Sequence, residues 1–76
     1  MIKDKVLNII KNTTHEVPKK MSFTLDTLNV DSMDLTEIVL KIEDEFDVRF
    51  SDEECSQIRY WSINKIIENI EKKIDD

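Results

Sequence analysis

Apolar residues in this chain fall mostly at intervals of three and four, the spacing that lines one face of an α-helix. Ile2, Val6, Ile9 and Ile10 form the first such stripe, with Lys3, Asn8, Lys11 and Asn12 outside it, which predicts a helix from Ile2 to about Thr13. Pro18 disfavours helix at Val17. The stretch from there to Val30 mixes turn-forming polar residues with Met21, Phe23, Leu25, Leu28 and Val30. So long and apolar a connection is expected to pack on the core as a compact loop. Leu35, Ile38, Val39, Ile42 and Phe46 give the clearest stripe and a second helix, for which Asp31 is a plausible N-cap, with Asp34 in the first turn. Ser51 followed by Glu54 reads as a capping box that opens a short third helix carrying Cys55 and Ile58. Ser62 can cap a fourth, in which Ile63, Ile66, Ile67, Ile70 and Ile74 repeat. The expected fold is all-α, a small four-helix bundle with a long first loop and a short third helix. Residues 1–76 form one domain in this reading, with no internal repeat or low-complexity tract.

Composition narrows the functions open to such a bundle. A chain of 76 residues has room for one core and little for a large substrate cleft. Gly 0 and Pro 1 exclude glycine phosphate loops and the glycine of an EF-hand loop. One Cys and one His cannot build a structural zinc site or an internal disulfide. The net charge of -6 disfavours nucleic acid and anionic membrane as partners and favours a basic protein surface. Lysines interrupt MIKDKVLNIIKN, so no signal-peptide core is expected there, and the expected location is the cytoplasm.

The acid is concentrated. Residues 31 to 54 hold ten acids against Lys41 and Arg49, a segment at -8 in a chain whose remainder is at +2. A charge run usually means no more than a solvated helix face. Met33 and Leu40, however, do not fit the core stripe; with Glu37 and Asp44 they are spaced four, three and four, on the side roughly opposite Leu35, Val39 and Ile42. An apolar pair rimmed by carboxylates is the pattern of a docking surface. Ser32 directly follows Asp31 at the positive end of this helix. Either residue can take the N-cap; if Asp31 does, the Ser32 hydroxyl is left to project outward, where the helix dipole favours a phosphate. The single histidine, His15, lies in a separate loop, so Ser32 is a better modification acceptor than a nucleophile. Cys55 lies beside Glu53 and Glu54, which oppose a thiolate, and is expected to be a small buried side chain. Tyr60 and Trp61 are expected to pack between the third and fourth helices.

The run Asp31-Ser32-Met33-Asp34 resembles the acyl carrier proteins, in which an Asp-Ser-Leu motif opens the second of four helices. The likeness continues through DSMDLTEIVLKIEDEFDVRFSDEE, residues 31 to 54, and SINKIIENI resembles the family's closing helix. Met33 stands where Leu is commonest, Asn29 where Gly is common and Ser51 where Pro often is. The first loop is shorter than in the family, and Arg59-Tyr60-Trp61 is a slight lengthening. The resemblance implies a monomeric carrier, not an enzyme, with a 4′-phosphopantetheine arm placed on Ser32 by a phosphopantetheinyl transferase from coenzyme A. The arm's thiol would hold acyl intermediates as thioesters for fatty acid, polyketide or another specialised acyl biosynthesis. The implied docking face comprises Asp31, Met33, Asp34, Glu37, Leu40, Glu43 and Asp44, and the implied partners are the transferase and acyl-processing synthase enzymes with basic surfaces. The rival readings are an aminoacyl or peptidyl carrier and an unmodified acidic helical interaction module.

Overall fold

A computed structural model describes residues 1–75, and among these the chain forms four α-helices and no strand. Helix α1, Ile2–Thr14, buries Val6 and Ile10. It stops at His15, whose left-handed backbone (φ 64°) lets its N–H donate to the Lys11 carbonyl. Helix α2, Ser32–Phe46, buries Ile38, Val39 and Ile42, while Leu35 and Phe46 at the two ends of the stripe are half-buried. It ends in the same way at Asp47 (φ 53°). Helix α3, Asp52–Gln57, has the full capping box: the Ser51 hydroxyl accepts from Glu54 N–H and the Glu54 carboxylate accepts from Ser51 N–H. A 3-10 turn, Ile58–Tyr60, leads to α4, Ile63–Asp75, where Ser62 Oγ accepts from the Lys65 N–H.

The core joins α1, α2 and α4 through Val6, Ile10, Ile38, Ile42, Ile66 and Ile70, and the first loop adds Leu25 and Val30. That loop packs on the core as its apolar content predicts, and it is also laced to the 3-10 turn and to the start of α4. Asp26 N–H donates to Arg59 O at 3.0 Å, Ile63 N–H to Phe23 O at 2.9 Å and Asn64 N–H to Met21 O at 3.0 Å. Thr24 and Ser62 form an isolated antiparallel bridge. These bonds satisfy backbone groups that a long loop would otherwise leave to water.

Two expectations are corrected. Trp61 is buried, but Tyr60 is exposed and does not pack between helices: Tyr60 ends the 3-10 turn, whereas Trp61 follows it in extended backbone and joins the core. Cys55 is half-buried, since α3 buries no residue and lies along the surface of the bundle.

Helix α3 is instead held by polar contacts. The Glu54 carboxylate accepts from Asn69 Nδ2 at 3.2 Å and from Lys73 Nζ at 2.9 Å, both on α4, while the Lys73 ammonium also stands 5.2 Å from the centre of the Phe50 ring. The Ser51 N–H is the main cause that draws the Glu54 pKa from 4.5 down to about 2; partial burial opposes it, and Lys73 and Asn69 reinforce it. A depressed folded-state pKa contributes stability that is complete above 4.5 and is lost as the pH falls toward 2. The contribution at neutral pH is on the order of 3 kcal/mol as an upper figure. Glu54→Gln, which keeps an acceptor but loses the charge, should unfold about 1–2 kcal/mol more easily at neutral pH. Denaturant titrations of the two proteins should converge as the pH approaches 2. A gap of the same size at both pH values would mean that the charge of Glu54 contributes nothing.

Candidate functional site

The start of α2 settles which residue caps it. Asp31, in extended backbone, accepts the Asp34 N–H on Oδ1 at 2.8 Å. Ser32 is therefore the first helical residue; it is exposed, and its hydroxyl makes no hydrogen bond among the described residues. Its carbonyl accepts from the Thr36 hydroxyl at 2.9 Å. The backbone approaches this point through Asn29, which is left-handed (φ 59°), and buried Val30. Asn serves here where a β-branched residue would be strained. The result is a free hydroxyl beside the unpaired N–H groups and positive dipole end of a 15-residue helix, a setting suited to a phosphate ester.

Down the helix, Met33 is 83% and Leu40 58% exposed. Glu37 and Asp44 are exposed with them, and Glu37 pairs with Lys41 at 3.4 Å. Such a pair in water is worth little. Asp34 is half-buried, with its N–H committed to the cap. Glu43 differs from the other acids. It is half-buried, and its Oε2 accepts the Phe50 N–H at 2.8 Å, closing the turn between α2 and α3. Of the ten acids in residues 31 to 54, only Glu37 and Glu54 have an ion-pair partner among the described residues. The field of this face is therefore largely uncompensated.

Between α2 and α3 runs a groove of about 250 Å³ lined by Leu35, Val39, Leu40, Phe50 and Cys55. It begins one helical turn below Ser32. Burial raises the Cys55 pKa first, and Glu43, Asp52 and Glu54 add to it, so the thiol stays protonated and unreactive. Nothing in the apolar spacing announces this groove, because its walls come from two helices and the turn between them. Arg59 escaped the sequence reading too. Its guanidinium Nη1 donates to Val30 O at 2.6 Å, two residues before Ser32. The only hint was the lengthened Arg59-Tyr60-Trp61 segment. Among the described residues there is no cluster fit to hold a metal ion, and no helix is long and apolar enough to cross a membrane.

Comparison with known proteins finds a matching family and several relatives. The family described as "Phosphopantetheine attachment site" matches residues 4–70. An acyl carrier protein of Chlorobium phaeovibrioides is 34% identical, covering 95% of this chain and 94% of its own length. One from Buchnera aphidicola subsp. Schizaphis graminum is 36% identical over 91% of this chain and 80% of its own. A third, from Solidesulfovibrio magneticus, is 45% identical over 64% of this chain and 60% of its own. No solved structure matches the chain. With the family match running from the middle of the first turn of α1 almost to the end of α4, and with one relative aligned along 94% of its length, the chain belongs to the acyl carrier protein family.

Proposed function

We propose that Ser32 is the attachment point of a 4′-phosphopantetheine arm and that the protein is an acyl carrier rather than an enzyme, working in the cytoplasm as a monomer. The observation that carries this reading is the unbonded, exposed Ser32 hydroxyl at the start of α2, released from capping by Asp31, inside the span matched by the family. The residues present fit the group: the hydroxyl oxygen would give up its proton and bond to the phosphorus of the arm as the pyrophosphate bond of coenzyme A breaks and its nucleotide phosphate leaves, and the helix end favours the negative charge of the new ester. When attached, the arm supplies a thiol that holds acyl groups as thioesters. The chain itself contributes position. Asp31 fixes the first turn, the groove along Leu35, Val39 and Phe50 gives an apolar chain a place out of water, and the protonated Cys55 does not compete for acyl groups. Tethering keeps an intermediate at high local concentration while each partner binds only weakly. Intact-mass measurement after incubation with coenzyme A and a broad-specificity phosphopantetheinyl transferase tests the reading. One arm's added mass supports it; an unchanged mass refutes it.

The proposed partners are that transferase and acyl-processing enzymes with basic docking surfaces. They would meet Met33, Glu37, Leu40 and Asp44 together with Asp31 and Asp34. Glu43 can add its charge to the face while its carboxylate remains tied to Phe50. Rim charges act mainly on association and central apolar groups on dissociation. Glu37→Lys or Asp44→Lys should therefore slow modification and flatten its dependence on salt. Met33→Ala should weaken binding by about 1–2 kcal/mol with the salt dependence unchanged. Stopped-flow binding over a salt series separates the two classes, and identical salt slopes for all the variants would show that this face does not dock.

A further inference from the structure

We propose that Arg59 is a positioning residue for the modification of Ser32, a role that rests on the reading of Ser32 as the attachment point. Three contacts support it. Arg59 Nη1 donates to the Val30 carbonyl at 2.6 Å and lies 3.6 Å from Asp26 Oδ1, while the Arg59 carbonyl accepts the Asp26 N–H at 3.0 Å. One residue thus grips both ends of the tight segment Asp26–Val30. That segment is otherwise held by its own short turns, Leu28 and Val30 N–H on Leu25 O and Asn29 N–H on Asp26 O, and by the bonds of Thr27 N–H and Thr27 Oγ1 to Thr24 Oγ1. It is also the segment that sets the direction in which the chain enters Asp31, and Asp31 in turn holds the first turn on which Ser32 stands.

Turns alone leave such an entry free to pivot. The Val30 side chain is buried, which anchors one side of the peptide, and the guanidinium anchors the carbonyl on the other. The Arg59 side chain is only 22% exposed, so the bond is charge-assisted and partly shielded from water. Residues 58 to 60 form a 3-10 turn fixed at both ends, by Trp61 N–H on Ile58 O and by the buried side chains of Ile58 and Trp61. The clamp is therefore mounted on a rigid base. A transferase must bring a fixed reacting centre to the Ser32 oxygen, and small misplacements of a nucleophile at the end of a mobile turn lower the rate of reaction without affecting the surface that docks.

The test uses the full chain, coenzyme A and a broad-specificity phosphopantetheinyl transferase, with initial rates read by intact mass. Arg59→Ala should lower kcat by roughly tenfold or more while KM changes by less than about twofold, because α2 keeps its docking face. Arg59→Lys should recover much of the loss, since both side-chain contacts come from the single atom Nη1 and one ammonium can replace it. Ile66→Val, a mild core trimming in α4, should leave kcat unchanged. Equal rates for the native protein and Arg59→Ala, or an equal loss in Ile66→Val, would overturn the role of Arg59 while leaving Ser32 as the acceptor. Absence of modification in the native protein, or modification that survives Ser32→Ala, would overturn the Ser32 reading and this one with it.

Discussion

Ser32→Ala should keep its unmodified mass under conditions in which the native protein gains one arm, and it should melt at the same temperature. Selectivity for this serine has a structural origin. Of the five serines, Ser51 and Ser62 spend their hydroxyls as acceptors at helix starts, and Ser56 donates to the Glu53 carbonyl at 2.7 Å. Ser22 is exposed but lies in the first loop, away from any helix start. Only Ser32 joins a free hydroxyl to the first turn of a long helix. The stability control follows from the same geometry, because the cap at this end belongs to Asp31 and alanine is a good residue in a first turn. Mass spectrometry and a thermal melt of the variant check both halves. Added mass on the variant would move the attachment elsewhere, and a large drop in melting temperature would mean that Ser32 contributes to the fold.

Ile42→Ala should cost about 2–5 kcal/mol, the range for emptying a buried aliphatic site. Ile42 is fully buried, between α2 and the rest of the core. Leu40, two residues earlier, is 58% exposed, and its truncation should cost about 1 kcal/mol or less. The contrast matters more than either value, since both substitutions remove aliphatic groups from one helix. Urea titration with circular dichroism gives both. If Leu40→Ala proves the more damaging, the face assigned to docking is core, and the partners must bind elsewhere.

How much of this could be read from the residues depends on the range of the interaction. The α2 stripe, the box of Ser51 and Glu54 and the Ser62 cap were legible because each is decided within one or two turns of helix. Met33 and Leu40 were legible as misfits to that stripe, and the structure leaves both in solvent. The cap at α2 stood open between Asp31 and Ser32, since both are good capping residues; the position of one carboxylate oxygen decides it. Arg59 on Val30 and Lys73 on Glu54 join residues 29 and 19 positions apart, and no local pattern encodes such pairs. Glu43 looked like another member of the acidic face, yet its bond to Phe50 spans the turn that ends the helix. Tyr60 and Trp61 are adjacent aromatics of similar hydropathy, and their places, at the end of the 3-10 turn and just past it, separate their fates.

The three left-handed corners at His15, Asn29 and Asp47 are built without a single glycine. This shapes the unfolded chain as much as the folded one. Each corner carries roughly 1–2 kcal/mol of local backbone strain that glycine would not, somewhat less for Asn and Asp, whose short side chains tolerate the conformation. In return the denatured ensemble lacks its most permissive residue at every position and loses less conformational freedom on folding, by about 0.4–1 kcal/mol for each glycine avoided. The second effect offsets part of the first, most nearly at Asn29 and Asp47. The corners are therefore places where heat resistance can drift up or down in small steps while the core and the acidic face of α2 stay as they are.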